Sequence, residues 1–179
     1  MDWNLILKRD GPAVWRTAYR ILGNNCDADD CFQEATMNAV EISRRESIGN
    51  ITALLKRLAA SRAIDRLRQR YRQRVQAEFV SDLDELPGVS QSPAQLFEVF
   101  ELHERLRVAL TIIPPNQACA FCLCCLEGLS YRECGESLSL SAEAIGVLIQ
   151  RARKNLQSQF GDQLRDRSIR LKNKHLSDH

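Results

Sequence analysis

Cationic side chains crowd into one stretch of the sequence, in a pattern that suits binding to phosphate groups. Residues 56–74 hold eight lysines and arginines against a single acid, Asp65. Like charges this close repel one another, and an ordinary surface helix would intersperse glutamates among them. Phosphates would neutralise the repulsion, and each neutralised phosphate would add affinity by releasing counterions. The stretch therefore predicts a helix that binds nucleic acid. The cations are Lys56, Arg57, Arg62, Arg66, Arg68, Arg70, Arg72 and Arg74.

A second basic segment follows a predicted pair of short helices. Ser130 and Glu133 have the spacing of a capping box, which starts the first helix, and Ser141 is a natural N-cap for the second. Gly135 falls inside the first helix, where glycine lowers helix stability by roughly 1 kcal/mol relative to alanine. A glycine is favoured there only if another helix comes so close that a side chain would not fit. The pattern is typical of a helix-turn-helix, which presents its second helix to the DNA major groove. An ordinary helical hairpin is the alternative. Three cations lie near the end of the second helix: Arg151, Arg153 and Lys154.

Five of the seven cysteines lie between residues 119 and 134, which raises the question of a metal or redox site. On an α-helix, Cys122 and Cys124 would point about 200° apart. Cys119, Cys122, Cys124 and Cys125 therefore cannot converge on one zinc ion. We interpret these residues as small buried hydrophobes. A thiol sensor or a partial metal site on Cys119, Cys122 and Cys125 is the alternative.

The sequence shows no set of residues for catalysis. Paired carboxylates, a nucleophile with its base and a glycine-rich phosphate loop are all missing, and the three histidines stand apart. We expect no enzyme activity, no cofactor and no metal. No stretch approaches the roughly 20 apolar residues that span a bilayer, and the first ten residues lack a signal-peptide pattern. The sequence thus predicts a cytoplasmic protein without membrane insertion.

Composition and periodicity predict an all-α protein of two small helical domains joined by a flexible linker. Of the 179 residues, 44% are hydrophobic and only 6% aromatic, and strand-like alternation is hard to find. The motif Asp10-Gly11-Pro12 is expected to separate two helices. An acidic, Pro- and Gly-containing segment lies between the two basic regions. The predicted divisions are a helical domain at 1–74, the linker at 75–93, a helix-turn-helix domain at 94–160 and a charged tail at 161–179.

Taken together, three segments resemble the sigma-70 family of bacterial RNA polymerase initiation factors, in its extracytoplasmic-function group. Residues 27–35 look like the family's helix that docks on core polymerase. Residues 54–68 look like the helix that binds and melts the −10 element. The third segment is similar to the −35-reading domain and consists of residues 113–117, 126–133 and 150–156. The resemblance covers nearly the whole chain in the family's order.

The resemblance implies core RNA polymerase and promoter DNA as partners, together with a possible anti-sigma factor. It implies polymerase contacts from Asp29, Asp30, Gln33 and Glu34. It implies −10 contacts from Arg57, Ser61, Arg62, Arg66, Arg68 and Arg70. It implies −35 contacts from Ser141, Glu143, Ala144, Gly146, Val147, Gln150, Arg151, Arg153 and Lys154.

The sequence departs from the family at several of these positions. Ser61 stands where the family often has a base-capturing asparagine, and a serine offers fewer hydrogen-bonding groups. Ala144, Gly146 and Val147 stand where threonine, a basic residue and serine are common, and they are poor at bonding base edges. We therefore expect altered or weakened −35 reading.

Three hypotheses follow from these features. The first is a sigma factor whose two basic bundles grip DNA at separate places. The second is an interaction protein on the same scaffold that no longer reads promoters, and the third is a stand-alone helix-turn-helix regulator. The first expects the two bundles to be tethered flexibly, with an open arginine face over residues 62–74. A single compact body in which Arg62 to Arg74 are sealed inside or matched by carboxylates would contradict it.

Overall fold

The structure, a computed structural model, describes residues 2–78 and 93–175, with side chains at 2–76 and 100–159. Every regular element in these ranges is a helix, which confirms the all-α class. We call α1–α3 the N-terminal half and α4–α7 the C-terminal half. Residues 79–92 of the predicted linker and 176–179 of the predicted tail lie outside the described residues. The helices are α1 (Trp3–Leu22), α2 (Asn25–Arg45), α3 (Ile51–Glu78), α4 (Pro93–Ile112), α5 (Pro115–Phe121), a π-helix (Cys122–Leu126), α6 (Tyr131–Leu138) and α7 (Ala142–His175).

The predicted break at Asp10-Gly11-Pro12 is wrong, because α1 runs through it as one helix. Proline fixes φ at a helical value, so its main penalties are a lost hydrogen bond and crowding one turn earlier. Contacts of α1 with α2 and α3 offset these two costs of Pro12. Asp10 is buried and accepts a hydrogen bond from Thr52 Oγ1 of α3 at 3.0 Å. The ring of Phe32 of α2 packs over Gly11, at an ordinary van der Waals distance of 3.4 Å from where a Cβ would lie.

The hydrophobic core consists of two clusters, and the larger one joins the halves. The smaller cluster lies within the N-terminal half and includes Val14, Ala35 and Leu55. The larger runs from residues such as Ile64 of α3 to Leu123 of the π-helix and on into α7. Helix α3 carries apolar side chains on two faces, so it packs against α1 and α2 on one side and against the C-terminal half on the other. The two groups of helices therefore lie in direct contact.

The helix-turn-helix forms as the sequence predicts. Ser130 Oγ accepts from the Glu133 amide at 3.2 Å while Glu133 accepts from the Ser130 amide at 2.9 Å, completing the capping box. Ser141 caps α7 by accepting from the Ala144 amide at 3.2 Å. A Cβ on Gly135 would lie 2.6 Å from the Leu140 carbonyl oxygen, so this turn requires a residue without a side chain.

The cysteine-rich segment is an α-helix that becomes a π-helix, where the sequence predicts a continuous α-helix. The Glu127 amide donates to the Cys122 carbonyl oxygen at 3.1 Å, five residues back. Cys119, Cys122 and Cys134 are buried, which confirms that they pack as small hydrophobes, whereas Cys125 is exposed. Burial raises the pKa of the Cys119 thiol to about 11 and also raises the pKa of Cys122. These buried thiols are therefore poor nucleophiles at neutral pH.

Candidate nucleic-acid and partner interfaces

The acidic residues at the start of α2 lie on one side of the N-terminal half. Asn24 caps the helix by accepting from the Asp27 amide at 2.8 Å. Asp29, Asp30 and Gln33 are exposed, and Glu34 is half-buried. Trp15 Nε1 of α1 donates to Asp29 Oδ1 at 2.7 Å, which holds that carboxylate in place. The four residues predicted to bind polymerase therefore form one accessible patch.

Arginines of α3 pair with this acidic patch. Arg66 Nη1 lies 2.6 Å from Asp30 Oδ2 and 3.2 Å from Asp27 Oδ1, and its Nη2 lies 3.4 Å from Glu34 Oε1. Arg62 reaches Glu34 at 3.6 Å and Arg70 reaches Asp27 at 3.2 Å. Members of two sets predicted as separate sites are thus joined in one ionic network. The expectation of an open arginine face is wrong for Arg66, because three carboxylates of α2 surround it. Arg62 and Arg70 are exposed but are also matched by carboxylates of α2, which contradicts the expectation for them as well.

Two other arginines predicted to bind DNA, Arg57 and Arg68, are half-buried. Arg68 Nη2 donates to the Ile113 carbonyl oxygen at 2.6 Å. The Nε atoms of Arg57 and Arg68 are buried, and no group in the described part of the chain accepts a hydrogen bond from either. Ser61, Arg62 and Arg70 remain exposed. The open part of the predicted −10 surface is therefore smaller than the sequence suggests.

Asp27 is a member of the network that the sequence reasoning did not single out. It lies three residues before Asp30 and seven before Glu34, a spacing that places all three on one helix face. Burial opposes its ionisation, but hydrogen bonds from Asn24 and Arg66 and the charges of Arg70 and Arg66 outweigh burial, so the pKa of Asp27 is lowered. The spacing of Asp27 from Asp30 and Glu34 is the sequence signal that identifies Asp27 as a member of this acidic face.

Acid should weaken the N-terminal half through this carboxylate. Since the folded-state pKa of Asp27 lies below its unfolded value of about 3.9, its contribution is present above that pH and is lost as the pH falls through the folded pKa. We expect Asp27→Asn to lower the free energy of unfolding at pH 7 and to have a smaller effect near pH 3, measured by urea denaturation. The exposed Asp65→Asn is the control and should change stability little. An equal loss for Asp27→Asn at both pH values would contradict this account.

The second helix of the helix-turn-helix presents an outer face that the C-terminal half leaves open. α4, α5 and α6 hold the inner face of α7, where Ile145 and Ile149 are buried. Tyr131 covers Gly146, since a Cβ there would lie 3.6 Å from its ring. Ala144 is half-buried, and Val147 is 45% exposed. The remaining predicted −35 residues are exposed: Ser141, Glu143, Gln150, Arg151, Arg153 and Lys154.

None of the helices in the described ranges is long and apolar enough to cross a membrane.

Comparison with known proteins identifies both halves. Sigma-70 region 2 matches residues 6–73, and sigma-70 region 4 matches residues 103–156. The chain is 31% identical over 156 residues to the ECF RNA polymerase sigma factor SigE of Mycolicibacterium smegmatis, a match that covers 87% of this chain but 60% of that relative. It is 26% identical over 156 residues to the ECF RNA polymerase sigma factor SigW of Bacillus subtilis, covering 83% of each.

A solved structure supports the fold over both halves. It is the sigma factor RpoE from Bartonella quintana, in complex with the anti-sigma factor NepR, with a TM-score of 0.55. The match covers 89% of this chain and 97% of that one at 21% identity, so it is a likeness of fold. The two family regions occur in order, on the two halves, with the helix-turn-helix in the second. This chain belongs to the sigma-70 family, in its extracytoplasmic-function group.

Proposed function

We propose that this chain binds core RNA polymerase and directs it to promoters, where it takes part in opening the DNA. The observation that carries the proposal is the outer face of α7, which stays open while the rest of the C-terminal half supports the helix from behind. A recognition helix held this way can enter a major groove. The regions matched at 6–73 and 103–156 lie inside the proposed domains 1–74 and 94–160. Such a function would place the chain in the cytoplasm.

At the −10 element the proposed contacts come from α3. Ser61 and Arg62 are open to solvent and would meet the DNA first, and Arg70 could add a phosphate contact. Melting would proceed by binding, since bases captured in the single-stranded state offset unstacking costs of a few kcal/mol per base. Asp29, Asp30, Gln33 and Glu34 would meet polymerase.

At the −35 element the proposed contacts are mostly to phosphates. Arg151, Arg153 and Lys154 extend from the end of the recognition helix and would position it on the backbone. Val147 can pack on a thymine methyl group, and Gln150 can bond an adenine edge. Because NepR is the partner of the Bartonella sigma factor, an anti-sigma factor is also proposed for this chain.

A second candidate function is that of an interaction protein that no longer reads the −35 element. Val147, Tyr131 and Leu140 are each more than 40% exposed on the helix-turn-helix. An apolar surface of this kind can meet a protein as well as a groove. Run-off transcription with purified core polymerase on a random promoter library separates the two functions. Promoter-selective transcripts support the sigma factor, whereas capture of polymerase without selective transcripts supports the interaction protein.

Salt should strongly weaken promoter binding if the basic helix contacts phosphates. We expect Arg62→Ala to lower the slope of log affinity against log salt by about one, because one phosphate contact is lost. The measurement is fluorescence anisotropy of promoter DNA with polymerase holoenzyme between low and moderate salt. Arg16→Ala, which removes an exposed arginine of α1, is the matched control. An unchanged slope for Arg62→Ala would remove this residue from the interface.

A further inference from the structure

We propose that Cys124 and Cys134 form a reversible disulfide when the chain meets an oxidant such as hydrogen peroxide, and that this bond shifts the helix-turn-helix. The pair differs from the group of Cys119, Cys122 and Cys125 that the sequence suggested as a thiol sensor. The bond itself rests on contacts within the C-terminal half. Its effect on DNA binding rests on the proposed function.

The two thiols lie in direct contact between the π-helix and α6. Cys134 is fully buried on α6, and its thiol donates a hydrogen bond to the sulfur of Cys124. Cys124 lies in the π-helix, is half-buried and packs on the hydrophobic cluster to which Cys134 belongs. The connection between the two elements is held as well, because the Leu129 amide donates to the Leu123 carbonyl oxygen at 3.0 Å. Two thiols in such contact need only a small approach to reach bonding distance.

The π-helix gives its two adjacent cysteines different neighbours. Cys125 is exposed, and Arg153 Nη2 of α7 lies 3.8 Å from its sulfur. Cys124 instead contacts Cys134 of α6. Single turns of π-helix occur frequently at functional sites. The neighbouring Cys125 is therefore a natural control for Cys124, since it has the same chemistry but another environment.

The reaction balances with hydrogen peroxide as the oxidant. The Cys124 thiolate attacks one peroxide oxygen, the O–O bond breaks, and the products are a sulfenic acid and a hydroxide that takes up the proton released by Cys124. The Cys134 sulfur then attacks the Cys124 sulfur. An S–S bond forms as the S–O bond breaks, and the oxygen leaves as water with the Cys134 proton. The two cysteines lose two electrons, and one peroxide becomes two molecules of water.

Cys124 is the better first target of the two. Burial raises the pKa of both thiols, but the hydrogen bond from Cys134 acts in the opposite direction on Cys124 and favours its thiolate. Cys134 reacts second, and its contact with the Cys124 sulfur compensates for its weak nucleophilicity. Thiols with a raised pKa react slowly. The pair should therefore stay reduced at low oxidant levels and form the disulfide as oxidant accumulates.

The bond should alter the recognition helix because α6 cannot move alone. A disulfide holds its two sulfur atoms at about 2 Å, closer than two thiols approach, so α6 is drawn towards the π-helix. Gly135 of α6 already lies against the turn, where a Cβ would be 2.6 Å from the Leu140 carbonyl oxygen. The same turn carries Ser141, the N-cap of α7. A shift of α6 therefore passes to the start of α7, and we expect oxidation to weaken promoter binding.

The first test treats the reduced full-length chain with hydrogen peroxide and maps its tryptic peptides by mass spectrometry without reduction. Cleavage after Arg132 places Cys124 and Cys134 on different peptides. We expect these peptides to be cross-linked with the loss of two hydrogens, fragmentation to place the bond at Cys124, and dithiothreitol to reverse it. Cys124→Ser should abolish the cross-link, whereas Cys125→Ser should keep it at the wild-type yield. A cross-link through Cys125, or oxidation of the wild type without any cross-link, would overturn the proposal.

The second test measures promoter binding after the peroxide has been removed and core polymerase added. We expect the oxidised chain to bind about threefold more weakly or worse, because the position of the recognition helix sets its base contacts, and dithiothreitol to restore the affinity. Peroxide should leave promoter binding by Cys124→Ser unchanged. Equal affinity of the oxidised and reduced wild type would overturn the effect on the helix-turn-helix. A chain that forms the cross-link but directs no promoter-selective transcription even when reduced would refute only the proposed function.

Discussion

Replacing Leu123 with alanine should lower the free energy of unfolding by about 2–5 kcal/mol, the usual range for removing a large aliphatic side chain from a core. Leu123 is fully buried in the π-helix and belongs to the cluster that includes residues of both halves. Its carbonyl oxygen also accepts from the Leu129 amide at 3.0 Å, so the backbone at this residue is held as well. Against a typical total of 5–15 kcal/mol for a domain, this loss is large.

Urea denaturation followed by circular dichroism measures this loss. Because the cluster is continuous, hydrogen exchange should show protection falling in α1 as well as in α7. Leu102→Ala is the control, since Leu102 is 56% exposed on α4 and should change stability by no more than about 0.5 kcal/mol. Two separate transitions, of which Leu123→Ala shifts only one, would show that the halves do not share a core.

Gly135→Ala should destabilise the C-terminal half by about 1–3 kcal/mol, even though alanine is normally the better helix former. The added Cβ would lie 2.6 Å from the Leu140 carbonyl oxygen and 3.4 Å from the Ser141 carbonyl carbon, both in the backbone of the turn. Backbone atoms cannot rotate away as a side chain can. The turn must therefore widen, which also moves the N-cap Ser141 and with it the start of the recognition helix.

Two measurements follow for Gly135→Ala: thermal unfolding by calorimetry, and binding of the full-length chain with polymerase to promoter DNA. We expect a lower melting temperature. We also expect weaker binding to promoter DNA, with the loss of affinity confined to promoters that carry the −35 element. Gly49→Ala is the matched control, because a Cβ there would meet nothing within 4 Å. A Gly135→Ala protein as stable as the wild type would show that the turn adapts without strain.

Sequence reasoning was most successful where the signal is local. The capping box at Ser130 and Glu133 and the N-cap at Ser141 each involve groups three residues apart, so their spacing alone predicts the contact. Local rules also account for the errors. The sequence Asp10-Gly11-Pro12 predicts a helix break, but α1 is continuous and Asp10 is held by Thr52 of α3. No local pattern marks the π-helix at Cys122–Leu126.

The ionic network shows why the charge pattern of α3 could be read from the sequence but not the pairing of those charges. The arginine-rich stretch has almost no acids of its own, so the sequence predicts phosphates as the partners of its charges. Some of those charges pair instead with carboxylates of α2, which lie 32 to 43 residues earlier in the chain. Nothing in the spacing of Arg66 shows that Asp27, Asp30 and Glu34 will surround it.

The sequence by itself determined the all-α class, the caps of the helix-turn-helix and the family to which the chain belongs, because these depend on neighbours along the chain and on residue order. Only the tertiary structure decided which charges remain available. The pairing of Arg66, the covering of Arg57 and Arg68 and the burial of Glu127 depend on how helices distant in sequence pack together. Electrostatic free energy varies with distance and exposure, and both are set by packing.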